Sequence, residues 1–232
     1  MDLTDQSSQP VTRRRAIAAA GGVLATSLAG CVGGSASNGA ETDGASGDGP
    51  VAVASFFSFF DFARNVVDGT PVRVENLVPT GLHGHGWEPN ASVTRDIIEA
   101  DAFIHVGPEF QPWADRAIQT LEDDNVDTQL INAREGVELV DLAASLDREE
   151  EGVGQQRGKT PHFWLAPARA KVSIHNITEG LVELAPAHED TLRENAETYK
   201  NETIEQIDQD YQAIFDVAER DVVQLAAHNA FQ

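Results

Sequence analysis

The chain has 232 residues, enough for one large domain or two small lobes with separate cores. Its 38 acidic residues against 16 basic ones give a net charge of −22, which excludes nucleic acid and anionic membrane surfaces as electrostatic partners. The apolar share of 41% excludes a disordered chain, and the acidity reads as adaptation to high salt, where carboxylate repulsion is screened. A single cysteine, Cys31, rules out an intrachain disulfide and any multi-cysteine zinc site, so a bound metal must be held by histidine and carboxylate.

The first fifty residues read as targeting and tether. Thr12-Arg13-Arg14-Arg15 precedes a small-residue apolar run from Ala16 to Ala29, too short and too rich in alanine and glycine for a transmembrane helix. Paired arginines ahead of such a run resemble a twin-arginine signal, and Leu28-Ala29-Gly30-Cys31 resembles a lipobox with Cys31 as the lipidated residue. This predicts a signal over 1–31 and a flexible Gly/Ser/Asp-rich tether over 32–50.

Val51–Ser55 is a short apolar strand, followed by a helix over Phe56–Val67 with Phe56, Phe59, Phe60, Ala63 and Val67 on one face. Asp68-Gly69 ends it. Val72–Val78 is the second strand. Next comes Leu82-His83-Gly84-His85-Gly86-Trp87-Glu88-Pro89, two histidines among glycines on a loop leaving a strand. Neutral imidazole suits zinc and its neighbours in the first transition row. Asn90 can cap a helix over Ala91–Ala100, with Val93, Ile97 and Ile98 inward. Ala102–Val106 is a third strand broken by Gly107-Pro108, a helix begins at Pro112-Trp113 and runs to about Leu121, and Thr128–Ile131 is a fourth strand.

Strands alternating with helices predict parallel βαβ units and an α/β fold. Asp141–Thr160 is charged and glycine-containing and is expected to be a mobile loop. Pro167–Leu184 is a helix. A longer helix from about Ala187 to Arg220 would span roughly 45–50 Å at 1.5 Å per residue. Its inward stripe is expected to be Leu192, Ala196, Tyr199, Thr203, Ile207, Tyr211, Ile214 and Ala218. Val222–Ala227 starts a further buried strand that leads into His228-Asn229-Ala230-Phe231. The predicted organisation is an N-terminal α/β lobe over 51–186, a linking helix over 187–220, and the first strand of a truncated second lobe over 221–232.

Of the seven histidines, His85, His162 and His228 share a setting at element ends beside turn residues or aromatics. Singly, each reads as a surface or capping histidine; together they point to one shared site. His83 reads as a solvated or auxiliary loop residue, His105 as a packed or edge residue of the third strand, and His175 and His188 as solvated. Three imidazoles with a carboxylate or water suit tetrahedral zinc, with Mn2+ or Fe2+ as the alternative. Protonation of such ligands should weaken metal binding below about pH 6.

Several motifs, in order, resemble the zinc/manganese (cluster A-I) solute-binding receptors of ABC importers. They are Ala54-Ser55-Phe56-Phe57, then Val78-Pro79 followed by His85 and Glu88-Pro89, then Ala100-Asp101-Ala102 with Gly107. Pro161-His162-Phe163-Trp164-Leu165-Ala166-Pro167, the long helix and His228-Asn229-Ala230-Phe231 complete the set. The resemblance covers about residues 51–232 and implies two α/β lobes joined by a long helix, with one metal ion between them. It implies His85 and His162 as ligands from the first lobe and His228 from the second. The family usually adds a carboxylate from the second lobe beyond the last residue here. It often has a His-rich loop where Leu146–Thr160 has acids and no histidine, and an aspartate where this chain has Ala166.

The resemblance further implies a receptor, not an enzyme. It would sit on the outer face of the cell membrane through a lipid on Cys31 and deliver a divalent metal ion to an ABC permease with its ATPase. Release is expected from loop movement around Asp141–Thr160. A metal-dependent adhesin of the same fold is an alternative. A zinc hydrolase is disfavoured because no His-Glu-x-x-His motif is present; Glu88, the only nearby base, suits a loop lock better.

Overall fold

The computed structural model describes residues 49–79, 87–141 and 159–219. The predicted signal, most of the tether, His83, His85, most of the acidic loop, the last predicted strand and His228 lie outside them.

Four strands form one parallel sheet: β1 (Val51–Ala54), β2 (Arg73–Asn76), β3 (Ala102–His105) and β4 (Gln129–Asn132), in the order β2-β1-β3-β4. Ala52 pairs with Val74 on one side and Ala102 on the other, which fixes the register of the two inner strands. The helices are α1 (Phe57–Val66), α2 (Ala91–Glu99), α3 (Pro112–Asp123), α4 (Pro167–Leu184), α5 (Glu189–Thr198) and α6 (Glu205–Val217). The α/β expectation therefore holds, with every connection between strands a crossover.

Strand alternation sends the two faces to two cores. Ala52, Ala54, Ala102, Ile104 and Ile131 meet α1, α4 and α5 through Phe59, Phe62, Ile174, Ile177, Leu181 and Leu192. Val51, Val53 and Phe103 meet α2 and α3 through Val93, Ile97, Trp113 and Leu121. Alanines on the first face let helices approach closely. At Gly180 of α4 an added Cβ would lie 2.6 Å from Ile131 of β4. Asn90 caps α2 as expected, its Oδ1 accepting from the Ser92 N–H at 2.9 Å. Ile98, expected inward, is instead 38% exposed. Adjacent Ile97 already fills the inward position, and successive helical residues diverge by about 100°.

The long helix is present but not uniform. A 3-10 turn at Pro186–His188 opens it, and Tyr199–Ile204 forms a π-helical turn between α5 and α6. The wider turn advances the buried face by one position. Ile204 is buried where Thr203 was expected, and Thr203 is exposed. Leu192 and Ala196 face inward as expected, but Ile207, Tyr211 and Ile214 are exposed. The helix stops at Val217 instead of Arg220, with extended backbone at Ala218. No helix among the described residues is long and apolar enough to cross a membrane.

Candidate metal centre

The first crossover, β1-α1-β2, steps one way from β1; β3 then returns to the other side of β1. Strand order therefore reverses between β1 and β3. In open α/β sheets, the crevice outside the carboxyl ends of two such strands is where ligands bind.

The crevice walls follow directly from the sequence. β1 ends in Ser55 and Phe56. β3 ends in His105, Val106 and Gly107, whose φ of +115° turns the chain sharply toward Phe110 and Gln111. Glu109, in the same turn, also takes a left-handed φ of 68°. Ser55 and Gln111 are both buried and clasp each other: Ser55 Oγ donates to Gln111 Oε1 at 2.7 Å, and Gln111 Nε2 donates to the Ser55 carbonyl at 2.7 Å. Two buried polar groups thus satisfy one another across the strand tips.

His162 sits against this wall. It follows Pro161 and leads into a 3-10 turn, Phe163–Leu165, that opens α4. Its ring meets Trp164 at 5.5 Å and 66°, and Phe110 at 6.5 Å and 87°. Both aromatics pack on Phe56, at 4.8 and 5.8 Å. His162 is therefore buried beside the carboxyl ends of β1 and β3.

His85 and His228 lie outside the described residues; the structure gives the attachments of the His85 loop. β2 runs parallel to β1, so the chain leaves it at the same carboxyl edge, through buried Val78 and exposed Pro79. It resumes at Trp87, whose ring meets Trp113 edge-on at 5.4 Å. Glu88 Oε2 accepts from Arg116 Nη2 of α3 at 2.6 Å, which is the loop lock expected of it. Among the described residues, no three His, Cys, Asp or Glu side chains converge to hold a metal.

His105 is packed, not at an edge, because β3 is an inner strand. It stacks on Phe103 at 6.0 Å, and its Nδ1 finds no hydrogen-bond partner among the described residues. Burial and, secondarily, the positive charge of Arg134 push its pKa down to about 4, so the ring is neutral at neutral pH. Burial likewise lowers the Arg134 pKa, and raises that of Asp115, which accepts the Glu109 N–H at 3.0 Å. His175 is solvent-exposed as expected, 3.6 Å from Glu179. Asp141 and Lys159, at the two ends of the acidic segment, form an antiparallel bridge and a 2.6 Å ion pair.

The sequence reading missed the Ser55–Gln111 clasp and the position of Arg134, which donates to the Pro108 carbonyl at 2.7 Å. Neither leaves a local signal, because the partners lie 56 and 26 positions apart. Trp164 stood inside a recognised motif, but its neighbours become visible only in three dimensions.

The profile of the family described as "ZnuA: Zinc-uptake complex component A periplasmic" matches residues 52–232. The chain belongs to that family, whose members are metal-binding solute receptors and not enzymes. "Zinc-binding lipoprotein AdcA" of Streptococcus pneumoniae is 28% identical over 165 residues, covering 68% of this chain and 31% of the relative. "High-affinity zinc uptake system protein ZnuA" of Bacillus subtilis is 24% identical over 158 residues, covering 66% of this chain and 48% of the relative. The chain thus spans about a third to a half of the curated relatives it matches. The crystal structure of the Zn(II)-bound ZnuA-like domain of S. pneumoniae AdcA superposes with a TM-score of 0.63 at 26% identity, over 78% of this chain and 62% of that one. The metal-dependent lipoprotein YcdH of B. subtilis, at 22% identity and a TM-score of 0.62 over 73% of this chain and 57% of its own, shares the fold.

Proposed function

We propose that the protein is an extracytoplasmic receptor that captures a divalent metal ion, zinc, and delivers it to an ABC permease with its ATPase. The carrying observation is the burial of His162 against the switch-point wall of a chain in the zinc-uptake family, with the His85 loop leaving the same edge of the sheet. His85, His162 and His228 are the proposed ligands, the first two from this lobe and the third from the chain beyond the linking helix. Three neutral imidazoles favour zinc over manganese, which prefers more oxygen ligands. The zinc named in the AdcA relatives supports that choice. Fe2+ would bind the same donors more weakly.

Lipidation of Cys31 would hold the receptor at the membrane, with residues 32–50 as its tether. The job is binding and release, with zinc as cargo. Equilibrium dialysis with metal analysis on the full chain tests the reading. One bound zinc per chain, lost in His85→Ala, His162→Ala and His228→Ala, is the expected result. Equal zinc retention by all three variants would refute it.

A further inference from the structure

His162 is 8% exposed and opens a short 3-10 turn, so the rings packed on it decide how its imidazole is oriented. Trp164, two residues on, sits at the centre of a cluster of rings. It is 8% exposed, and four aromatic rings surround its indole: Phe56 at 4.8 Å, Phe110 at 5.3 Å, Phe163 at 5.4 Å and Phe59 at 5.8 Å. Phe56 leaves the tip of β1, and Phe110 follows the turn after β3. The indole is thereby fixed to the two strands that flank the crevice. Its T-shaped contact with the imidazole, complemented by that of Phe110, passes this fixed position to His162. Edge-to-face contacts are directional, so they restrain ring orientation as well as distance.

We propose that Trp164 is a positioning residue for zinc capture: it presets the plane of the His162 imidazole before the ion arrives. This rests on the receptor reading above. Groups that orient a ligand typically change metal affinity by about 10–100-fold when removed. Restricting a ligand to its bound rotamer also removes an ordering cost from binding.

The test is zinc affinity of the full chain, measured by competition with a chromophoric chelator, alongside thermal unfolding and far-UV circular dichroism. Trp164→Leu should weaken zinc binding about tenfold. Trp164→Phe, which keeps an aromatic edge, should recover most of that loss. Phe62→Leu is the packing control. Phe62 is buried and contacts Phe59 and Tyr199, on the side of the core away from the strand tips. It should lower thermal stability and leave zinc affinity unchanged. Should Trp164→Leu fail to fold, Phe110→Leu removes the other perpendicular ring and should weaken zinc binding in the same direction. Wild-type affinity in Trp164→Leu, or an equal loss in Phe62→Leu, would overturn the proposal. A wild-type chain whose zinc signal is unaffected by His162→Ala would overturn the receptor reading itself, a separate outcome.

Discussion

Replacing His105 tests how burial at the end of β3 sets the acid limit of the fold. The ring is buried, stacks on Phe103 and has a pKa lowered from 6.5 to about 4. Because the folded value is depressed for a base, the folded protein resists protonation while the unfolded chain accepts it. The stabilisation is complete above pH 6.5 and is lost as pH falls from 6.5 to 4. A shift from 6.5 to about 4, at 1.36 kcal/mol per unit, makes that loss about 3 kcal/mol. The assay is urea unfolding at pH 7.5, 6.5, 5.5 and 4.5, at fixed ionic strength and with a chelator present. His105→Phe keeps a ring of similar size against Phe103 and carries no titrating group. It should unfold with a flatter pH dependence, the gap to wild type closing by about 3 kcal/mol between pH 7 and 4. Subtracting the two curves cancels the carboxylates, which titrate in both proteins. Arg134→Leu should make the acid limb only modestly shallower, by letting the folded pKa of His105 rise, since burial outweighs the charge. Superimposable wild-type and His105→Phe profiles would refute the reasoning.

Three further substitutions probe the backbone around the crevice and its supporting helix. Ala166 is the N-cap of α4 and offers no side-chain acceptor; Ala166→Asp should stabilise the protein by about 1 kcal/mol in chemical unfolding. Gly180→Ala places a methyl within 2.6 Å of branched Ile131. It should destabilise by about 1–2 kcal/mol despite the gain in helix propensity, and Ile131→Ala should relieve most of the strain in a double-mutant cycle. Glu109→Gly releases a left-handed residue with φ of 68° while keeping the N–H that reaches Asp115; a rise in unfolding free energy of about 0.5 kcal/mol is expected, the strain relieved exceeding the added entropy of the unfolded chain.

The alternation of strands and helices was legible because each element carries a strong period and a chemical stop. Asn90 at a cap, Pro112 and Pro167 at helix starts, and Gly107 past a strand each act locally. The position of His162 was legible for a related reason: a proline and a helix start bracket it, and the motif around it is distinctive. The face of the long helix was lost at Tyr199, because a π-turn adds a residue without changing the composition that periodicity reads. Ile207, Tyr211 and Ile214 are exposed for a different reason: α6 has no buried residue on any face among the described residues. Ile98 was misplaced because Ile97 and Ile98 are equally apolar and only packing chooses between them. The Ser55–Gln111 clasp was hidden because its partners meet through the sheet and not along the chain.

That clasp constrains how a captured ion could leave. Both of its hydrogen bonds are short, both residues are shielded from water, and together they rivet the exit of β1 to the start of α3. Prising these strand tips apart would strand two amides and a hydroxyl in a dry setting, a heavy penalty. In the receptor proposed above, this pair of strand tips would act as a fixed anvil beneath the ion.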